Sequence, residues 1–580
     1  MTTKHTGLLL ACIAFVLNAV MVSETRAADS PTEKKSISQW VSCKETQDDS
    51  LGAIKAFAAA RHNAFTLLVD CPVFIHSGLD IARAIYIDDG TSVEFTPAGK
   101  FIVDNVMHPA FVLGNSNAVT LTNWNVEYNA TLPTNPDVGG YAQNGHFTSV
   151  AGHNQPSGPW NDLEFTAWLT ANRGIKFDHS AGNVRASWSG LTNVCAVFFV
   201  TGDTSHVSFN GLNVHVPANA GAERFVPVVF QFSGNIRSNK TITATSSRSA
   251  EYVAVPHDIT FTNVTFDGTI MGWVGNVQNA TFEHVRSHRY ADLQDASGGT
   301  NGGLGKWFAP PHLFYLGYSS DEDPGLFNRN IKIHDVVDDG PRVGTARDKG
   351  GSDTLSGNAL SLKIGCYECS VDNYTSSRPD GFLDVLPSHG LKISNVNATY
   401  DSSFLNNLFP GWRFPSKEYS DLMFENITLK DTAPSTVQMP VGQSTVSANQ
   451  NITIRNVHVI INRWAGSQEL PLPNIMGNGI DVSIDYDILG DSARIASVHK
   501  GSVNIALKAT PAKLSAGRAT TVTWATQADA CSAGGAWNGS NLSSKGSRSV
   551  TIEKPGESAL TLSCRSSSDT AEARLPVIVN

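Results

Sequence analysis

Apolar and polar positions along this chain recur in one short phrase: apolar, any, apolar, polar, then Asn or a substitute for it, then apolar or aromatic. Between Cys369 and Asp401 the phrase is stated twice, as Cys369-Ser-Val371-Asp-Asn373-Tyr and Leu391-Lys-Ile393-Ser-Asn395-Val, with the two Asn 22 positions apart. Val119 to Asn123, Val207 to Gly211, Ile259 to Asn263, Ala280 to His284, Ile331 to Asp335, Leu422 to Asn426 and Ile452 to Asn456 fit it too. The alternation predicts short strands with one buried face. The fifth position holds Asn, Gly, His or Asp, the residues most willing to adopt positive φ at a tight turn. Between the two statements, Gly381-Phe-Leu383-Asp-Val385 predicts another strand, with Gly381, Leu383 and Val385 on one face and Asp380, Phe382 and Asp384 on the other. A chain that buries one strand face and returns to the same phrase after about 20 residues stacks coils, as a solenoid does. The intervals of 21, 22, 31 and 30 residues are one coil plus loops of unequal length.

Ahead of the first coil, Asp48-Asp49-Ser50 followed by Leu51 to Arg61 predicts a capped amphipathic helix. After Asn456 the phrase stops. From about residue 503 short alternating strands take over, including Thr520 to Trp524, Ser549 to Ile552, Ala559 to Leu562 and Leu575 to Val579.

With these phrases the sequence resembles the right-handed parallel β-helix proteins of the pectate lyase and polygalacturonase superfamily, and its end resembles bacterial immunoglobulin-like modules. The fold class is therefore expected to be all-β: a right-handed single-stranded parallel β-helix over residues 28–500, then a small immunoglobulin-like β-sandwich over 503–580. Cys531 and Cys564 are expected to bridge the two sheets of that sandwich.

Composition narrows the function. Charged residues make up 16 % and hydrophobic ones 41 % of the 580, and the formal charge is −10, which argues against disorder and against binding nucleic acid. Residues 1–27 read as a secretory signal, with Lys4 and His5 before an apolar run and Thr25-Arg-Ala27 at the cleavage site. The chain is thus expected to be secreted or periplasmic, with no membrane span. Seven of the eight Cys follow the signal, and Cys43–Cys71, Cys366–Cys369 and Cys531–Cys564 are the expected pairs, leaving Cys195.

Stacked strands carry outward side chains about 5 Å apart from coil to coil, which suits a linear polysaccharide. Arg378-Pro-Asp380-Gly-Phe-Leu-Asp384 is similar to the Asn-Thr-Asp-Gly-Ile-Asp strand of polygalacturonase-type glycosidases, which place their next acids about one coil later, where Asp401 falls. The resemblance implies glycoside hydrolysis with Asp380 and Asp401 as acid and base. The family's double Asp is Asp401-Ser402 here, and its Gly-His-Gly and Arg-Ile-Lys motifs are missing. The bland alternatives are a turn Asp and a solvated loop acid.

A second constellation, His288, Arg289 and Tyr290 with Lys363, Arg378 and Arg342, holds the base and cations that β-elimination on a uronate requires. Asp384 is a further candidate contact to substrate, and Trp307, Trp412 and Arg413 are candidates to stack on sugar rings. Long loops over 294–311 and 338–358 are expected to flank the groove. No cofactor is expected; Asp321-Glu-Asp323 is the weighed Ca²⁺ candidate, with a solvated acidic loop as its alternative. A non-catalytic glycan-binding or adhesive solenoid is the competing reading from another class.

Overall fold

The structure, a computed structural model, describes residues 33–75, 85–103, 110–114, 116–128, 183–186, 196–201, 204–216, 228–233, 235–238, 251–268, 271–289, 312–316, 328–339, 361–377, 382–386, 388–400, 419–432, 444–445, 451–462, 475–476 and 480–580. It is nearly all β. One long sheet stacks Asn117–Tyr128, Ser205–Val216, His257–Gly268, Gln278–Arg289, Lys332–Asp339, Ser370–Ser376, Lys392–Tyr400, Leu422–Asp431, Ile452–Ile461 and Ile480–Ile488, each parallel to the next. A second parallel sheet runs from Ile85–Tyr86 through Phe111–Gly114, Ala196–Thr201, Val228–Ser233, Met271–Gly275, Phe314–Leu316 and Leu362–Ile364 to Leu383–Val385. Successive coils visit both sheets in turn, an arrangement consistent with a β-helix.

The coil phrase has a backbone cause. Its fifth residue is left-handed throughout: φ is 52° at Asn123, 76° at Gly211, 56° at Asn263, 55° at His284, 52° at Asp335, 52° at Asn373, 55° at Asn395, 56° at Asn426 and 52° at Asn456. The expected equivalence of these Asn is what the register shows. Each is an extra residue that bends the strand and resets its alternation. Before it, Val371 points inward; after it, Tyr374 and Ser376 do, and all three are buried. The exposed amides then bond from coil to coil. Asn426 Nδ2 donates to Asn395 Oδ1 at 3.1 Å and Asn456 Nδ2 to Asn426 Oδ1 at 3.0 Å.

Inside, side chains stack at the strand spacing. Phe209, Phe261 and Phe282 stack along the long sheet at 4.8 and 5.1 Å. Phe198 and Phe230 (4.7 Å), then Trp273 and Phe314 (4.7 Å), do so on the second sheet. Edge-on contacts such as Phe209 to Phe230, 5.0 Å, join the two files. The helix Ser50–Ala60 forms where expected, although Asp49 at its N-cap makes no side-chain capping bond, and it packs Phe57 against Trp124 at 6.0 Å.

At the other end the long sheet does not stop. Ile480–Ile488 pairs antiparallel with Ala493–Lys500, which pairs with Val503–Thr510, and Arg518–Thr526 and Lys545–Ile552 follow. A second, five-stranded sheet of Lys513–Leu514, Thr570–Val579, Gly556–Arg565, Ala530–Gly535 and Gly539–Leu542 accompanies it. A separate apolar cluster, with Ile505, Leu507, Val522, Leu560, Leu562 and Leu575, forms there.

Two expectations are corrected. Cys531 and Cys564 are bonded but are directly paired residues of neighbouring strands in one sheet, so the bridge joins no two sheets. Phe382, assigned outward with Asp384, is buried against Tyr374 at 5.1 Å, because it lies ahead of the strand Leu383–Val385 and outside its alternation. The pairs Cys43–Cys71 and Cys366–Cys369 are as expected. Residues 1–27 and Cys195 lie outside the described residues.

Replacing Asn426 by Ala puts a Cβ-bearing residue without a compensating amide at φ 56° and removes both ladder bonds. The left-handed cost of roughly 1–2 kcal/mol and two net bonds of about 1 kcal/mol each predict a destabilisation of about 3–4 kcal/mol. A denaturation midpoint should fall clearly for Asn426→Ala and less for Asn426→Gly, which keeps the backbone freedom.

Candidate functional site

Side chains four positions beyond each left-handed residue form one outward file. Register places Glu127, His215, Asp267, His288 and Asp339 on five successive strands of the long sheet. Strand spacing keeps neighbours about 4.8 Å apart, and the file resolves into pairs. His215 Nδ1 lies 2.8 Å from Asp267 Oδ2, and His288 Nδ1 lies 2.5 Å from Asp339 Oδ1. Lys100 donates to Glu127 at 3.0 Å, and this hydrogen bond, with a second that Lys100 donates to Glu45, raises the lysine's pKa. A carboxylate on Nδ1 fixes the imidazole tautomer and leaves Nε2 as the position that takes up or delivers a proton. All four members of the two His–Asp pairs are 36 to 47 % exposed, open to a ligand along the file.

A second cluster lies at the corner itself. His284 Nδ1 is 2.7 Å and Arg286 Nη2 2.8 Å from the same oxygen, Asp335 Oδ2. The His284 hydrogen bond, then that of Arg286, holds the Asp335 carboxyl below its ordinary value. On the next coil burial pushes the Asp372 pKa up, but hydrogen bonds from Ser394 and Asn395 and the nearby His334 together outweigh it and leave it lowered. Both carboxylates therefore stay ionised in neutral solution. They can orient cations or accept protons, and neither is a proton donor.

Beneath Asp339 the strand is anchored. Asp338 points inward and is fully buried, and its Oδ2 accepts from Ser361 Oγ at 2.5 Å. Ser361 in turn lies 2.7 Å from the Tyr374 hydroxyl. Asp338 and Asp339 precede residues 340–360 and Ser361 follows them, so this contact joins the two ends of that stretch.

The sequence candidates separate by position. His288 lies in the outward file. Arg289 ends the same strand, paired with Gly268. Lys363 is on the other sheet, where register places Tyr315, Lys363 and Asp384 on successive strands, with Lys363 Nζ 5.1 Å from the Tyr315 ring centroid. Lys363 and Asp384 thus share one file, and His288 belongs to another. Asp380, Asp401, Arg378, Tyr290, Trp307, Arg342, Trp412 and Arg413 lie outside the described residues, as do Asp321 to Asp323, the 294–311 loop and residues 340–358 of the second loop. Among the described residues no group of three or more His, Cys, Asp or Glu could hold a metal ion.

His215, Asp267, Asp335, Asp339 and Arg286 were not singled out by the sequence reading. Their signal was present: Asn123, Gly211, Asn263, His284 and Asp335 are each followed four residues later by Glu, His, Asp, His and Asp. Aligning the coils past the five-residue phrase exposes that column.

No family model matches the chain, and no curated protein does. Among solved structures it is similar to an exopolygalacturonase from Thermotoga maritima, with 8% identity over 81% of this chain and 95% of that one and a TM-score of 0.31. PfbA, a surface adhesin of Streptococcus pneumoniae, gives 9% identity over 80% and 96% with a TM-score of 0.30. Tailspike protein 2 of Escherichia coli O157:H7 bacteriophage CAB120 gives 7% identity over 94% of this chain with a TM-score of 0.25; the chain spans 63% of its length. At these scores the functional reading rests on the chain's own residues.

Asp335 supplies a prediction on pH. Its pKa is lowered from about 3.8, so its stabilising contribution is complete above that value and is lost as pH falls through the lower native one. Asp335→Asn should therefore destabilise the protein at pH 7 and matter progressively less below pH ~4. The two proteins' melting temperatures should converge on acidification; a constant gap between them would show that the carboxylate charge is not what stabilises the corner.

Proposed function

We propose that the chain is a secreted polysaccharide-degrading enzyme whose substrate lies along the outward face of the long sheet. The observation that carries this reading is the pair of stacked dyads, His215–Asp267 and His288–Asp339, on consecutive strands of a face built at a fixed repeat. A chain-like ligand matches such a file, and a His held by carboxylate at Nδ1 is equipped for proton transfer to it.

Hydrolysis is the first reading, with Asp380 and Asp401 as acid and base. Ser376 and Ala398 are paired on adjacent strands; Asp380 follows the first by four residues and Asp401 the second by three. The roles of Asp380 and Asp401 are those implied by the resemblance.

β-Elimination is the second reading, and the His288–Asp339 dyad favours it. His288 Nε2 would remove the C5 proton of a uronate, and Arg378, Arg289 and Arg342 are the candidate cations for its carboxylate. On either reading the chain is a parallel β-helix followed by an immunoglobulin-like module, exported through the signal at residues 1–27.

A panel of acidic and neutral polysaccharides separates the readings: an unsaturated uronate absorbing in the ultraviolet marks elimination, new reducing ends without it mark hydrolysis. Binding without product marks a glycan-binding solenoid and ends the enzymatic proposal. His288→Ala and Asp339→Asn should lower the rate by roughly 10²–10⁴ without altering circular dichroism. Asp380→Asn and Asp401→Asn should do so under hydrolysis alone, and Arg378→Ala under elimination.

A further inference from the structure

We propose that a cleft in the C-terminal region is a second glycan site, which binds an acidic saccharide by its carboxylate and ring hydroxyls. The cleft is about 740 Å³, within the range of roughly 300–1,000 Å³ typical of small-ligand sites. Its base is rigid. Cys531 and Cys564 are bonded across paired strands, Ala571 is paired with Cys564 on the following strand, and all three are buried. Binding there would cost little ordering of the protein.

The cleft wall defines the chemistry of its ligand. Lys500 and Arg565 both line it and are exposed, and neither side chain makes a hydrogen bond or ion pair among the described residues. Asp569 feels the charge of Lys500, but its carboxylate is engaged by Ser568 and Ser502, which with that charge hold its pKa low. Glu572, the one acid on the wall, accepts from Ser563 Oγ at 2.7 Å. Two cations that make no hydrogen bond or ion pair among the described residues, Lys500 near Asp569, therefore face a single lining acid that is itself engaged, which favours an anion. Ser532, Ser540, Asn541 and Thr570 add exposed donors and acceptors without partners among the described residues, suited to ring hydroxyls. No aromatic residue lines the cleft, so a neutral sugar has no stacking surface there.

Position gives the site a use. Val498 and Lys500 belong to the strand Ala493–Lys500, whose alternate residues Ala493 and Ile495 belong to the solenoid core. A glycan held in the cleft is thereby tied to the same rigid sheet as the outward file. Retention of an acidic polysaccharide rests on the proposed function; binding in the cleft does not.

Hydrogen exchange on the full chain carrying His288→Ala, so that a probe which is also a substrate is not consumed, tests the proposal. Trigalacturonate should protect residues 530–541 and 563–572, and added salt should weaken the protection. The further pair Lys500→Ala and Arg565→Ala should weaken it at least tenfold, with near-ultraviolet circular dichroism unchanged. Xylotriose, neutral and of equal length, should give none. The proposal is overturned if millimolar trigalacturonate gives no protection there, if the double variant is protected equally, or if xylotriose protects equally. Failure of the polysaccharide screen would leave these readouts intact, so the two proposals fail separately.

Discussion

The fold depends on one left-handed residue per coil. An extended strand alternates its faces strictly, so it cannot follow a bent wall and keep apolar side chains inside on both sides of the bend. The residue at positive φ removes the conflict by adding one position. Val371 faces inward before Asn373, and Tyr374 faces inward after it. A non-Gly residue there is strained unless its side chain finds local bonds, and the amide ladder from Asn395 to Asn456 supplies them. Where the ladder lacks Asn, His284 and Asp335 take the position and bond each other instead.

That substitution links architecture to chemistry. At His284 and Asp335 the corner becomes charged, and the strands bearing them also carry His288 and Asp339 four residues on. Residues 51 apart in sequence meet because register, rather than proximity along the chain, sets the contact. The same register repeats the geometry two coils away in the same order, His then Asp. Such a column presents a polymer with proton-transfer groups at a spacing fixed by backbone hydrogen bonds.

The solenoid was legible because its signal is periodic and each period repeats the same physical demand: two inward apolar residues and a tolerant turn. The destabilisation expected for Asn426→Ala rests on a position readable from sequence alone. The outward file was half legible. His288 stands out in the sequence through its neighbours, whereas Gly340 and Pro341 after Asp339 make that residue read as part of a loop. The C-terminal disulfide shows the opposite limit: spacing identified the partners, but whether they cross between sheets or along one depends on strand order, which alternation does not encode. Phe382 failed for a related reason, since a three-residue strand does not fix the face of the residue before it.

Asp338 breaks the rule that the inside is apolar. Its counterparts on other coils include Val126, Val214, Phe266, Leu429 and Val459, all buried, so an apolar residue would pack there readily. A carboxyl in that position is costly unless hydrogen-bonded, and Ser361 meets one of its oxygens. A buried carboxyl accommodated in this way marks a place where local preference yields to another requirement. The adjacent residue identifies that requirement. Asp339 must face outward against His288 while the chain leaves for residue 340, and a strand end is where backbone frays most easily. Tying Asp338 to Ser361, and through it to Tyr374 on the next coil, fixes the strand at its last turn outward. The polar core and the exposed dyad are two faces of the same two residues: one holds the strand, and the other does what the held strand permits.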